Sequence, residues 1–215
     1  MSILWVVVNN MNKISNNPKQ RSNALYSKIY WENFFSNQEI EKIISTCSSK
    51  EFITATISQE KPVINEETRI SKVNFHSKNS ENSWIFDRLN FAIEDMNQKF
   101  FNFELYGYES FQYSEYYGDN LGKYDFHMDI FMNDESAKLS LTRKLSLVLL
   151  LSEPEVDFEG GEFQIKLGAE AKSETITMKK GTLIAFPSFI IHRVKPVLKG
   201  TRKSIAIWVE GPKFK

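Results

Sequence analysis

Apolar positions follow two different rhythms along this chain. In "SNQEIEKIISTCS", Ile40, Ile43 and Ile44 recur at helical spacing, and Ser36 or Asn37 can cap the start, so a short helix is predicted. "SENSWIFDRLNFAIEDMNQKFF" predicts a longer helix, with Trp84, Leu89, Ile93 and Met96 on one side. Beyond about residue 104 the rhythm shortens. "ESFQYSEYY", "YDFHMDIF", "RKLSLVLLL", "EFQIKL", "ETITM", "GTLIAFP", "IIHRVKPV" and "RKSIAIWVE" are β-rich runs separated by turn residues, including "EGGE" and "MKKG". Closely spaced strands with short links predict a sandwich or barrel, with the two helices against its outside. "ILWVVV" near the N-terminus predicts a first strand, and the polar run at 9–23 a surface loop. No linker divides the chain. One domain is expected over 1–215, with N-terminal support over 1–103 and a β core over 104–210.

Composition narrows the function classes. The 215 residues are 41% hydrophobic and 13% aromatic, enough for a sizeable core. Lys+Arg and Asp+Glu each number 27, so no basic excess points to nucleic acid. A single cysteine, Cys47, precludes an intramolecular disulfide framework or a cysteine-based zinc site. The apolar N-terminal run is too short for a membrane span and lacks the flanks of a signal peptide. A soluble, cytoplasmic protein is expected, without membrane or nucleic-acid partners; its oligomeric state is not legible.

The chemistry concentrates in "KYDFHMDIF", where Asp125, His127 and Asp129 alternate with apolar residues. In a strand, residues i and i+2 project to the same side, so His127 can share an ion with Asp129 or with Asp125. His192 opens a second strand far downstream; the remaining histidine, His76, is read as a strand or loop residue. Two imidazoles and one carboxylate form the facial triad of non-haem iron(II) oxygenases, which leaves adjacent coordination positions open. Arg202 begins "RKSIAIWVE", and alternation puts Arg202, Ser204, Ala206 and Trp208 on one face. A charge, two small residues and an aromatic suit a pocket wall, and a guanidinium fork fits a carboxylate. Trp208 fits core packing equally well, and Arg202 alone could pair with a surface acid.

The order His-x-Asp…His…Arg, with "YGDNLGKYDFHMD", "RKLSLVLLLSE", "FEGGEF" and "GTLIAFPSFIIHRVKPVLKGTRKSIAIWV", resembles the Fe(II)- and 2-oxoglutarate-dependent dioxygenases, within them the prolyl 4-hydroxylase-like, PKHD-type group. The resemblance spans about residues 30 to 210. It implies a double-stranded β-helix, a jelly roll of cupin-like form. It implies His127, Asp129 and His192 as iron ligands, selecting Asp129 over Asp125. It implies Arg202 on the distal carboxylate of 2-oxoglutarate and Tyr117 lining the cosubstrate pocket. The group's usual Tyr or Thr on the central strand is missing from "SLVLLL"; Leu150 falls near its place, and Ser146, on the same face, is the candidate substitute. The implied cofactors are Fe(II), 2-oxoglutarate and O2, with ascorbate as a reductant. The implied reaction is hydroxylation of a C–H bond with release of succinate and CO2. The substrate is a peptide, protein or small molecule, a prolyl residue leading, with loops 51–82 and 131–143 nearest to it. The alternatives are a non-catalytic jelly-roll binding module and a cupin-like metal enzyme that does not use 2-oxoglutarate.

Overall fold

A computed structural model describes Trp5–Val6 and residues 25–57, 63–130 and 141–214. The polar run at 9–23, most of "ILWVVV" and most of the 131–143 loop lie outside them. In chain order the elements are β1 (Trp5–Val6), β2 (Ile29–Trp31), α1 (Asn37–Ser48), β3 (Ile53–Thr54), β4 (Arg69–Ile70), β5 (Lys72–Ser77) and α2 (Ser83–Met96), which ends in a π-helical turn over Asn97–Phe101. Then come β6 (Ser110–Tyr117), β7 (Lys123–His127), β8 (Leu141–Leu150), β9 (Phe158–Gly160), β10 (Phe163–Lys166), β11 (Glu174–Ile176), β12 (Leu183–Pro187), β13 (Ile191–Val194) and β14 (Val197–Pro212). The 51–82 stretch, expected to be a substrate loop, thus contains three strands.

Two sheets face each other as a double-stranded β-helix. The larger has nine strands in the order β1-β2-β12-β8-β14-β6-β5-β3, with β9 added to β14; the smaller has five, β11-β10-β13-β7-β4. Strand alternation explains the layering. On β8, Leu145, Leu147 and Leu149 join one buried cluster with Ile40 and Ile43 of α1 and Leu89, Ile93 and Met96 of α2. Leu150 turns the other way and joins Phe163, Ile165, Phe186 and Val194 between the sheets. The helices therefore cover the outer face of the large sheet, and its inner face is left to line a cavity.

The helices form where the spacing puts them. Ser36 is the N-cap of α1: its hydroxyl accepts from the Glu39 N–H, and the Glu39 carboxylate accepts from the Ser36 N–H in return, a reciprocal capping box. Among the described residues, no helix is long and apolar enough to cross a membrane.

Candidate metal and cosubstrate site

The site begins with strand register. β13 pairs antiparallel to β7, and His192 sits directly opposite His127. Cross-strand neighbours have Cβ atoms about 5 Å apart, and the two rings lie with centroids at 4.2 Å. Between this pair and the next, Val194 opposite Tyr124, the register shifts by one residue. That β-bulge in β7 breaks the strict alternation expected of "YDFHMDIF". Tyr124 therefore joins His127, its ring stacked on the imidazole at 3.5 Å, while the Asp125 carboxylate turns to Lys123 Nζ at 2.9 Å. Asp125 lies close to His127 in sequence but serves it only through its main chain.

Asp129 is not on the strand, because β7 ends at His127. It lies in the following turn, where its N–H donates to the Ser188 carbonyl at 2.9 Å. Its Oδ1 lies 3.7 Å from His127 Nε2 and its Oδ2 3.4 Å from His192 Nε2. One ligand atom from each of the three residues falls within 4.8 Å of the others. A first-row ion with bonds of about 2.0–2.2 Å needs neighbouring donors about 3 Å apart, close to this arrangement.

Hydrogen bonds fix which atoms face the ion. His127 Nδ1 is 2.7 Å from the Asp125 carbonyl, and His192 Nδ1 is 2.9 Å from the Ile190 carbonyl. A carbonyl only accepts, so each Nδ1 carries the proton and each Nε2 presents a lone pair. Burial pushes the His127 imidazole down to about 3, reinforced by the adjacent His192, so it is neutral at pH 7. For Asp129 burial alone would raise the carboxyl, but the two imidazoles and the Ser146 hydroxyl outweigh it and leave it lowered and ionised. Neutral imidazole and ionised carboxylate are the states a metal requires.

The other end of the cavity is built on β14. Arg202, Ser204, Ala206 and Trp208 all line it, as alternation predicts, together with Gln112, Ser114 and Tyr116 of β6. Arg202 is only 2% exposed. Its recorded polar contact is Nη1 to Ser204 Oγ at 3.1 Å, and its guanidinium lies 5.6 Å from the Tyr116 ring. Among the described residues no carboxylate neutralises it. Gly161 (φ +62°) allows the close approach of this side chain, since a Cβ there would meet Arg202 Cδ at 3.1 Å.

Two expected site residues sit elsewhere. Tyr117 does not line the cavity: Tyr116 does, and the Tyr117 hydroxyl is taken by Glu115 on the opposite face of β6. Ser146 donates to Asp129 Oδ2 at 2.7 Å and bonds Ser188 Oγ at 2.9 Å. It is opposite Trp208 in register, six residues along the β14 backbone from Arg202, and is not among the residues lining the cavity. Ser146 therefore holds the Asp129 carboxylate, and the hydroxyl beside the Arg202 guanidinium is that of Ser204. His76 is remote, bonded to Asn74 and stacked on Phe111. Arg69, Tyr116 and Tyr124 line the cavity without having been singled out. The Gln112, Ser114, Tyr116 polar face was available from alternation; the double tyrosine hid which ring points inward.

Comparison with known proteins agrees with this geometry. Residues 111–210 match the family model of the 2OG-Fe(II) oxygenase superfamily. A PKHD-type hydroxylase of Teredinibacter turnerae is 34% identical over 91 residues, and one of a Janthinobacterium species 37% identical over 89. Those stretches cover 42% and 40% of this chain but only 39% and 38% of the relatives' own lengths. The fold is shared with a Pseudomonas putida prolyl-4-hydroxylase (TM-score 0.68, 18% identity, covering 87% of this chain and 94% of that one). It is shared also with a viral collagen prolyl hydroxylase of Paramecium Bursaria Chlorella virus-1, solved with 2OG (TM-score 0.66, 20% identity, 86% and 96% covered). A prolyl hydroxylase of Trichoplax adhaerens, in complex with a hypoxia inducible factor peptide fragment, has a TM-score of 0.67 at 19% identity, with 85% and 83% covered. Residues 111–210 are thus similar in sequence to the 2OG-Fe(II) oxygenase superfamily and, in part, to PKHD-type hydroxylases, and the chain shares over most of its length the fold of the prolyl hydroxylases.

Proposed function

We propose that the protein is an Fe(II)- and 2-oxoglutarate-dependent dioxygenase that hydroxylates a C–H bond. The observation that carries this reading is the pairing, in one cavity, of the His127–Asp129–His192 donors with the buried Arg202 guanidinium, which has no carboxylate partner among the described residues. A buried unpaired charge is costly, and a dicarboxylate bound between the two ends would relieve it. Iron(II), 2-oxoglutarate and O2 supply the oxidation, converting C–H to C–OH as the cosubstrate is released as succinate and CO2.

The chain's own part is orientation. His127 and His192 present Nε2, held by the carbonyl contacts of their Nδ1 protons. Asp129 would supply the third donor to the ion, with Ser146 fixing the rotation of its carboxylate. Arg202 seats the far carboxylate of the cosubstrate by a charge-assisted fork, so its position is set before reaction. Tyr124 covers the His127 face and keeps water from it. The finer reading is a prolyl residue of a peptide, supported by similarity to prolyl hydroxylases, one of them peptide-bound.

The test is succinate release from 2-oxoglutarate with added Fe(II). The wild type is expected to turn over, and Arg202→Ala to raise the 2-oxoglutarate KM by about 100-fold. Unchanged kinetics in that variant would remove Arg202 from the cosubstrate site. A protein that takes up no Fe(II) would favour a jelly-roll binding module.

A further inference from the structure

Arg69 is a second buried cation in the same cavity. It stands on β4, the edge strand of the small sheet, opposite Tyr124 in register, and is 6% exposed. Its guanidinium carbon lies 4.4 Å from the centre of the Tyr124 ring, and that ring in turn stacks on His127. One aromatic ring thus separates the guanidinium from a metal-facing imidazole. Its Nε donates to Ser71 Oγ at 3.1 Å, and Nη1 reaches the Thr56 carbonyl at 3.4 Å. Nη2 is buried and has no hydrogen-bond partner. Among the described residues no carboxylate faces Arg69.

On the oxygenase reading, the iron(II) ion, the Asp129 carboxylate, dianionic 2-oxoglutarate and Arg202 sum to zero. Arg143, whose guanidinium stacks on Trp208, has Glu210 opposite it in register. Among the described residues Arg69 remains a desolvated charge without a counter-ion, with its Nη2 unused. Such a group is costly in a free protein and is offset only when something with matching charge arrives. The cosubstrate is spoken for by the metal and Arg202. What remains is the molecule to be oxidised.

We propose that Arg69 recognises a carboxylate on the substrate, making the substrate class acidic: an amino acid or peptide with an anionic group close to the C–H bond that reacts. The proposal rests on the oxygenase reading above. Nη1 and Nη2 form the edge of the fork on offer, the geometry that suits a carboxylate. The Tyr124 ring beneath it and the bonds to Ser71 and Thr56 hold the guanidinium in place, so the fork is oriented before binding. The carboxylate could be the α-carboxylate of a free amino acid or an acidic side chain in a peptide; both present the same two oxygens.

The experiment separates these sources and separates this proposal from the one beneath it. Calorimetry under nitrogen uses protein loaded with Mn(II) and 2-oxoglutarate, so that binding is read without turnover. Ligands come in matched pairs: free L-amino acids, proline included, against their amides, and proline-containing peptides with Glu against Gln beside the proline. Acid members of one series are expected to bind about 10- to 100-fold more tightly than their neutral partners, the worth of a charge-assisted hydrogen bond. Arg69→Gln is expected to erase that preference and Arg69→Lys to keep part of it. The 2-oxoglutarate affinity of both variants is expected to stay within about twofold of wild type, showing an intact fold. Equal affinities within every pair, no binding by any pair, or a preference that survives Arg69→Gln overturns the carboxylate proposal alone. A wild-type protein that binds neither metal nor 2-oxoglutarate overturns the oxygenase reading itself.

Discussion

The two ends of the cavity are finished to different degrees. At the metal end each polar atom has its place: both Nδ1 protons go to carbonyls, and Asp129 takes a hydroxyl from Ser146. At the Arg202 end a buried guanidinium has one hydroxyl and an aromatic face and no anion among the described residues. The metal end is prebuilt for an ion that binds by donor geometry. On the oxygenase reading, the arginine end is completed by a ligand that brings its own charge. On that reading, binding at the first end depends on protonation and aim, and binding at the second on charge and the fit of a guanidinium fork.

The sharpest break would be at the metal end. His127→Ala is expected to abolish Fe(II) uptake, measured by equilibrium dialysis, because two donors remain where three converged. Ser146→Ala keeps all three donors but frees the carboxylate, so metal affinity should fall by about 10- to 100-fold, read by competition with a chelator. If the loss instead appears in the 2-oxoglutarate KM with metal affinity intact, Ser146 belongs to the other end. Acid should act on the metal end too. His127 has a folded-state pKa of about 3, below its ordinary 6.5, so the unfolded chain takes up the proton first. Its contribution is complete above pH 6.5 and is lost as pH falls from there toward 3, and the lowered Asp129 carboxyl acts in the same direction at the acid end. Thermal melts of metal-free protein should hold steady above neutrality and decline below pH 6.5, with a shallower decline in His127→Gln. The smallest effect is expected from Tyr117→Phe, since its hydroxyl meets Glu115 away from the cavity. Its 2-oxoglutarate KM should stay within about twofold of wild type, and a larger rise would return Tyr117 to the cosubstrate wall.

β14 and β7 show what sequence could and could not tell. β14 follows alternation through the site, so the face Arg202, Ser204, Ala206, Trp208 could be read directly and lines the cavity. β7 carries a bulge, which no spacing rule announces. It put Tyr124 beside His127 and sent Asp125 outward, while the end of β7 at His127 left Asp129 in a turn rather than on the strand. Ser146 was on the right face, but only the register of β8 on β14 tells which end of the cavity it serves. Arg69 was unreadable because its role depends on β4 pairing with β7, a contact between short strands far apart in sequence. The helices were the easiest part, since Ile40, Ile43, Leu89, Ile93 and Met96 report one buried face each.

The irregularity in β7 also changes what position 125 is for. With the ladder locally broken, the carbonyl of Asp125 is turned to catch the proton of an imidazole, while its acid group rests on a neighbouring lysine. Side-chain replacement at 125 should therefore be forgiven, whereas losing the position altogether would cut the tether on a metal-facing ring. Of the two carboxylates in that motif, only Asp129 stands among the converging donors.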